Sequence, residues 1–235
     1  MSMVEWILLL PLAGTALGAA AVFGARCGPE ITRGLRGFAA GVMIAASVWS
    51  LILPALEHSG HLGRWCFLPA AAGIWLGYWF VQRLERLFPD GERMTAAAVA
   101  LHNLPEGMAV GVAAAGFLEG EMSLAAYAAL SAGIALQNLP EGAIVSLPLA
   151  AGGIKKSRAF GYGVLSGIIE PAAGFLALWL ASLAVPALPW MLGFAAGAML
   201  YVAATELIPA MGKGLGIFFY MVGFLTMMAL DVALG

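Results

Sequence analysis

Apolar runs of about 20 residues follow one another from residue 3 to residue 234, parted by short segments that hold most of the charge. About 20 apolar residues is the length at which a helix crosses the hydrocarbon core of a bilayer with every backbone group satisfied internally. The chain has 235 residues, 62% of them hydrophobic and 10% charged, against about 25% charged in a soluble domain. A water-soluble globule is therefore excluded. Two cysteines are too few for a disulfide scaffold or a cysteine-built zinc module. A formal net charge of −2 gives no case for a nucleic-acid partner.

The runs predict an all-α polytopic membrane protein with eight transmembrane helices, at about 3 to 24, 34 to 57, 66 to 88, 95 to 117, 123 to 150, 159 to 184, 188 to 209 and 214 to 234. That leaves no length for a soluble domain, so residues 1–235 read as a single transmembrane domain. Glu5 stands where a signal peptide would carry basic residues, so the first run reads as a span. Arg26, Arg33 and Arg36 share the first loop, Arg83, Arg86 and Arg93 the third, Lys155, Lys156 and Arg158 the fifth, and Lys213 the seventh, whereas the even loops hold only Arg64. Basic residues stay cytoplasmic. The odd loops are thus expected in the cytosol and both termini outside the cytoplasmic membrane, which sets Cys27 and Cys66 on opposite sides and keeps them from pairing.

Two motifs recur. Gly37 to Met43 reads Gly-Phe-Ala-Ala-Gly-Val-Met in the second span, and Gly193 to Met199 reads Gly-Phe-Ala-Ala-Gly-Ala-Met in the seventh. Asn-Leu-Pro-Glu-Gly occurs identically at Asn103 to Gly107 in the fourth span and Asn138 to Gly142 in the fifth. Each pair joins an even span to an odd one, so its members cross the membrane in opposite senses. This predicts an inverted repeat, spans 1–3 against 6–8 around the central spans 4 and 5, with a substrate site near the midplane. Small residues spaced four apart also serve simply as packing faces. That reading suits the first pair better than the second.

Glu106, Glu141, Glu170 and Glu206 fall inside predicted spans. Four buried carboxylates would cost on the order of 10 kcal/mol, and no intramembrane Lys or Arg offsets them. Protonation or a coordinated cation remains. His102, Asn103 and Glu106 share one helical face, and Gln137, Asn138 and Glu141 repeat that geometry on the next helix. Pro105 and Pro140 each withhold a backbone donor, freeing the carbonyls of Leu101 and Leu136. Mixed nitrogen and oxygen donors suit zinc or a similar divalent metal such as iron, manganese, cobalt or cadmium. Glu170, before Pro171, reads either as a helix start or as an inward-facing ligand, the latter favoured. Glu206 matches Ser50 in the repeat, and both are candidates for the transport pathway. Met43 lies one turn before Ser47 and two before Ser50, so its thioether is a further candidate ligand. His58 and His61, with Glu57, read as a solvated loop or a low-affinity collecting patch for metal, and Glu119 with Glu121 as a solvated turn. Trp65, Trp75, Trp79, Trp179 and Trp190 suit interfaces or lipid.

Together, His-Asn-Leu-Pro-Glu-Gly from His102, Gln-Asn-Leu-Pro-Glu-Gly from Gln137 and Glu170-Pro171 resemble the ZIP (Zrt/Irt-like) family of divalent-metal transporters, in its compact prokaryotic GufA-like form. The resemblance covers essentially the whole chain. It implies a principal metal site of His102, Glu106, Gln137 and Glu141, with Met43 beside it. Asn103, Asn138 and Glu170 would join a second site that shares Glu106 and Glu141. Gln137 and Asn138 stand where many eukaryotic relatives have a histidine and an extra acid, which would weaken a second site. The long histidine-rich third loop is absent, with only a short link around Asp90 in its place.

The expected function is a secondary transporter that takes zinc or a similar cation into the cell by alternating access. The metal would be cargo, with no prosthetic group. Inward direction comes from the resemblance alone, which also allows a homodimer. A proton or monovalent-cation carrier using the buried glutamates, and metal efflux, are the alternatives. An intramembrane metalloenzyme is disfavoured, since the chain has no His-Glu-x-x-His and no evident nucleophile.

Overall fold

A computed structural model describes residues 3–24, 28–86, 92–151, 153–183 and 187–234. Only the backbone is described at 92–102, 144, 148, 151, 182, 183 and 234. Arg26, Cys27 and Asp90 lie outside the described residues, as do the side chains of Arg93, Leu101 and His102.

The described residues form helices throughout: α1 (Met3–Leu8), α2 (Leu10–Ala19), α3 (Pro29–Ala46), α4 (Leu53–His58), α5 (Phe67–Arg86), α6 (Glu92–Leu118), α7 (Leu124–Ala151), α8 (Lys156–Ser166), α9 (Ile169–Leu183), α10 (Leu188–Val202), α11 (Ile208–Met211) and α12 (Leu215–Leu234). Among these residues, five stretches are long and apolar enough to cross a membrane: Met3–Phe23, Pro29–His58, Lys156–Ala181, Leu188–Met211 and Leu215–Ala233. The protein is thus an all-helical, multi-pass membrane protein. Trp65, Trp75, Trp79, Trp179 and Trp190 are all exposed on its surface, as expected where the surrounding solvent is lipid.

Several boundaries depart from the expectation for local reasons. The second run starts at Pro29 rather than near residue 34, because Gly28 is extended and Pro29 takes the first helical position. The same run passes through a π-helical turn at Ser47–Ile52 before α4, and the seventh passes through another at Ala203–Leu207 before α11. A proline follows each wide turn, at Pro54 and Pro209. Its ring cannot donate to, and would crowd, the carbonyl four residues back, and a widened turn relieves both. A hydroxyl backs each turn: Ser47 donates to the Met43 carbonyl at 2.8 Å and Thr205 to that of Tyr201 at 2.9 Å. The sixth run, expected to be continuous, breaks at Gly167 and Ile168 between α8 and α9. By contrast, Pro105 does not interrupt α6, and α7 likewise runs unbroken past Pro140.

Packing is by pairs. α3 lies against α12, α5 against α10, α2 against α7, and α6 against α9. The recurring glycines set these seams. A Cβ built on Gly41 would lie 2.1 Å from the Tyr220 carbonyl oxygen, and one on its repeat mate Gly197 2.2 Å from that of Ile74. α3, α4, α12, α5 and α10 make one group and α2, α6, α7, α8 and α9 another, meeting where α3 crosses α7 and α10 crosses α6. Cross-links sort the loops into two ends. Tyr127 donates to the Val4 carbonyl, His58 pairs with Glu121, and Ser50 donates to Asp231 near the C-terminus. At the other end Lys156 donates to the Phe23 carbonyl, and Arg33 lies beside Gly212.

Candidate metal centre

α6 and α7 bring the two Asn-Leu-Pro-Glu-Gly motifs to one buried cluster. Asn103, Glu106 and Asn138 are fully buried, Gln137 and Glu170 are 1% exposed, and Glu141 is half-buried. Gln137 donates through Nε2 to Glu106 Oε1. Glu141 lies within Coulombic range of both Glu106 and Glu170.

The break between α8 and α9 has a chemical purpose here. In an unbroken helix the Ser166 carbonyl would take the Glu170 amide, which instead bonds to Gly167 at 3.2 Å. The freed Ser166 oxygen accepts from Asn103 Nδ2 at 2.7 Å. Glu170, in the first turn of α9, then receives three donors: Asn103 Nδ2 at 3.1 Å and Thr15 Oγ1 at 3.1 Å on Oε1, and Asn138 Nδ2 at 2.8 Å on Oε2. It is both a helix-start residue and an inward-facing one.

Gly107 and Gly142, which close the two motifs, let the pairs approach this closely. A Cβ on Gly107 would sit 2.1 Å from the Glu170 carbonyl oxygen, and one on Gly142 2.0 Å from that of Thr15. The two carbonyls belong to residues whose side chains bond to each other.

Four oxygens in the cluster are buried without a hydrogen-bond partner among the described residues: Asn103 Oδ1, Glu106 Oε2, Gln137 Oε1 and Asn138 Oδ1. Leaving such an atom unsatisfied costs about 1–3 kcal/mol, so their concentration in one place calls for a ligand that only acceptors can bind. A cation is such a ligand. Among the described residues no three His, Cys, Asp or Glu side chains form a ready metal cluster.

A family profile described as "ZIP Zinc transporter" matches residues 90–231, more than half of the chain. The chain belongs to the ZIP family. Human zinc transporter ZIP11 is 36% identical, the alignment covering 94% of each chain. Zinc transporter GufA of Myxococcus xanthus is 36% identical over 95% of this chain and 96% of its own. Zinc transporter ZIPB of Bordetella bronchiseptica is 36% identical over 95% of this chain and 78% of its own.

The remaining candidates of this ZIP chain are dispersed. Met43 is 1% exposed and belongs to the buried apolar core. Ser50, 5% exposed, lies in the first π-helical turn toward the end that holds both termini. Glu206 is half-buried in the second, toward the opposite end. Glu119 and His61 are exposed, as a solvated turn and loop require, but Glu121 is not merely solvated: its Oε2 lies 3.1 Å from His58 Nδ1.

Sequence reasoning overlooked two residues. Thr15, a lone hydroxyl between Gly14 and Gly18, holds Glu170 from α2. Asp231, in the final span four residues from the last residue, holds Ser50 at 2.6 Å. Counting carboxylates to the end of the final apolar run would have found Asp231.

Proposed function

We propose that this ZIP-family chain is a secondary transporter carrying zinc, or a similar divalent cation such as iron, manganese, cobalt or cadmium, through the cytoplasmic membrane into the cell. The observation that carries the reading is the knot of four buried oxygens on α6 and α7 that find no hydrogen-bond partner among the described residues. The metal is bound by His102, Glu106, Gln137 and Glu141, and Met43 stands one step along the pathway. Asn103, Asn138 and Glu170 form a second position, weaker because Glu170 already holds three donors.

In this reading the whole chain is one domain of eight spans, an inverted repeat of spans 1–3 and 6–8 around spans 4 and 5, with both termini outside. Three features support the repeat. Exchanging repeat mates converts the α3–α12 pair into the α10–α5 pair, and the α2–α7 pair into the α9–α6 pair. The π-helical turns begin at matching residues, Ser47 and Ala203. Gly107 and Gly142 each meet a carbonyl of the Thr15–Glu170 pair. Transport proceeds by alternating access as one helix group shifts against the other, with Ser50 and Glu206 on opposite limbs of the route. The basic odd loops place their end of the molecule in the cytosol.

Uptake of radioactive zinc by proteoliposomes tests the reading. Glu106→Ala and Glu141→Ala should each abolish saturable flux. Undiminished flux in both variants overturns the site.

A further inference from the structure

Between the two helix groups, at the end that holds both termini, lies a cavity of about 330 Å³. It is lined by Ser50, Glu57, His58, Glu121 and Asp231, with Trp49, Pro54 and Met122 among its apolar walls. Three carboxylates and an imidazole thus face one space, and among the described residues no Lys or Arg lines it. The donors come from both groups: Glu57 and His58 from α4, Asp231 from α12, and Glu121 from the segment joining α6 to α7.

Two of the contacts are made and one acceptor is left over. His58 Nδ1 lies 3.1 Å from Glu121 Oε2, and Ser50 donates to Asp231 Oδ1 at 2.6 Å. Asp231 Oδ2 is shut off from solvent and has no hydrogen-bond partner among the described residues. No three of these side chains converge on one point, so the cavity is not a dry cage. Its volume instead equals that of about ten waters at ~30 Å³ each, room for a divalent ion with its hydration shell.

We propose that this cavity is a capture site for a hydrated divalent cation, held through its water shell by Glu57, Glu121 and Asp231 and through His58. The inference rests on the transport reading above. A low-dielectric cleft lined by one sign of charge concentrates counter-ions and speeds their arrival. Ser50, Ser47 and Met43 follow at helical spacing along the same run, so an ion leaving the cavity is already on the face of α3 that leads inward. Capture in this cavity sets how readily dilute metal enters, and the buried centre sets what crosses.

The test is zinc uptake by proteoliposomes across a range of zinc concentrations and ionic strengths. The Glu57→Gln/Glu121→Gln/Asp231→Asn variant should raise KM about tenfold, keep maximal flux within about twofold, and flatten the salt dependence of KM. Glu121→Gln alone, at a half-exposed position, should raise KM severalfold and guards against misfolding of the triple variant. A KM and salt dependence equal to wild type in both variants overturns the proposal, as does loss of maximal flux without a change in KM in the single variant. Absence of saturable zinc flux in the unaltered protein instead overturns the transport reading itself.

Discussion

Glu170 depends on a residue that hydropathy does not flag. Thr15 supplies one of three donors to its carboxylate, from a different helix. Thr15→Val keeps the shape and removes that donor. It should cost about 1–3 kcal/mol, read as a lower midpoint of thermal unfolding in detergent, with Thr15→Ser restoring most of it. The Asn-Leu-Pro-Glu-Gly residues were legible because carboxylates and amides stand out in an apolar run at a high energetic cost. Thr15 was not legible because a hydroxyl is cheap in a membrane helix, where it can bond the carbonyl one turn back, here Pro11 at 3.3 Å. Whether such a group also serves a distant carboxylate depends on tertiary packing alone.

At the scale of the element, the helical character of the apolar runs was readable from hydropathy and the interruptions were not. A window of 20 residues averages over a change from α to π winding, so Ser47–Ile52 and Ala203–Leu207 leave no trace in it. The break at Gly167 could have been anticipated from Pro171, since proline favours the first turn of a helix, but Pro105 is tolerated inside α6. What differs is the compensation: Asn103 takes up the Ser166 carbonyl. The repeated glycines were read as packing faces as well as repeat marks, and they are packing faces. Gly107→Val should force α6 from α9, since even a Cβ would lie 2.1 Å from a carbonyl oxygen. Overpacking of this kind costs about 1–3 kcal/mol or more. Gly60→Ala, which meets nothing within 4 Å, is the control and should change unfolding by less than about 0.5 kcal/mol. Thermal melts of the two purified variants make the comparison.

For the whole molecule, the described contacts set Val4 and Asp231 toward one end and Phe23, Lys156 and Gly212 toward the other. The positive-inside rule turns this into an orientation. With Cys27 and Cys66 replaced, a cysteine at His61 should react with a membrane-impermeant maleimide in intact cells, and one at Lys156 only after permeabilisation. The opposite pattern would invert the topology. Backbone lies directly on backbone along the glycine seams of α3 with α12, α5 with α10, α2 with α7 and α6 with α9. Such a seam has no layer of side chains that could slip by changing rotamers, so it behaves as a weld, and the paired helices form stiff two-rod beams. The buried core is rich in alanine, including Ala45, Ala109, Ala113, Ala195 and Ala196. In the proposed transport cycle the unit that moves is then a whole beam rather than a single helix.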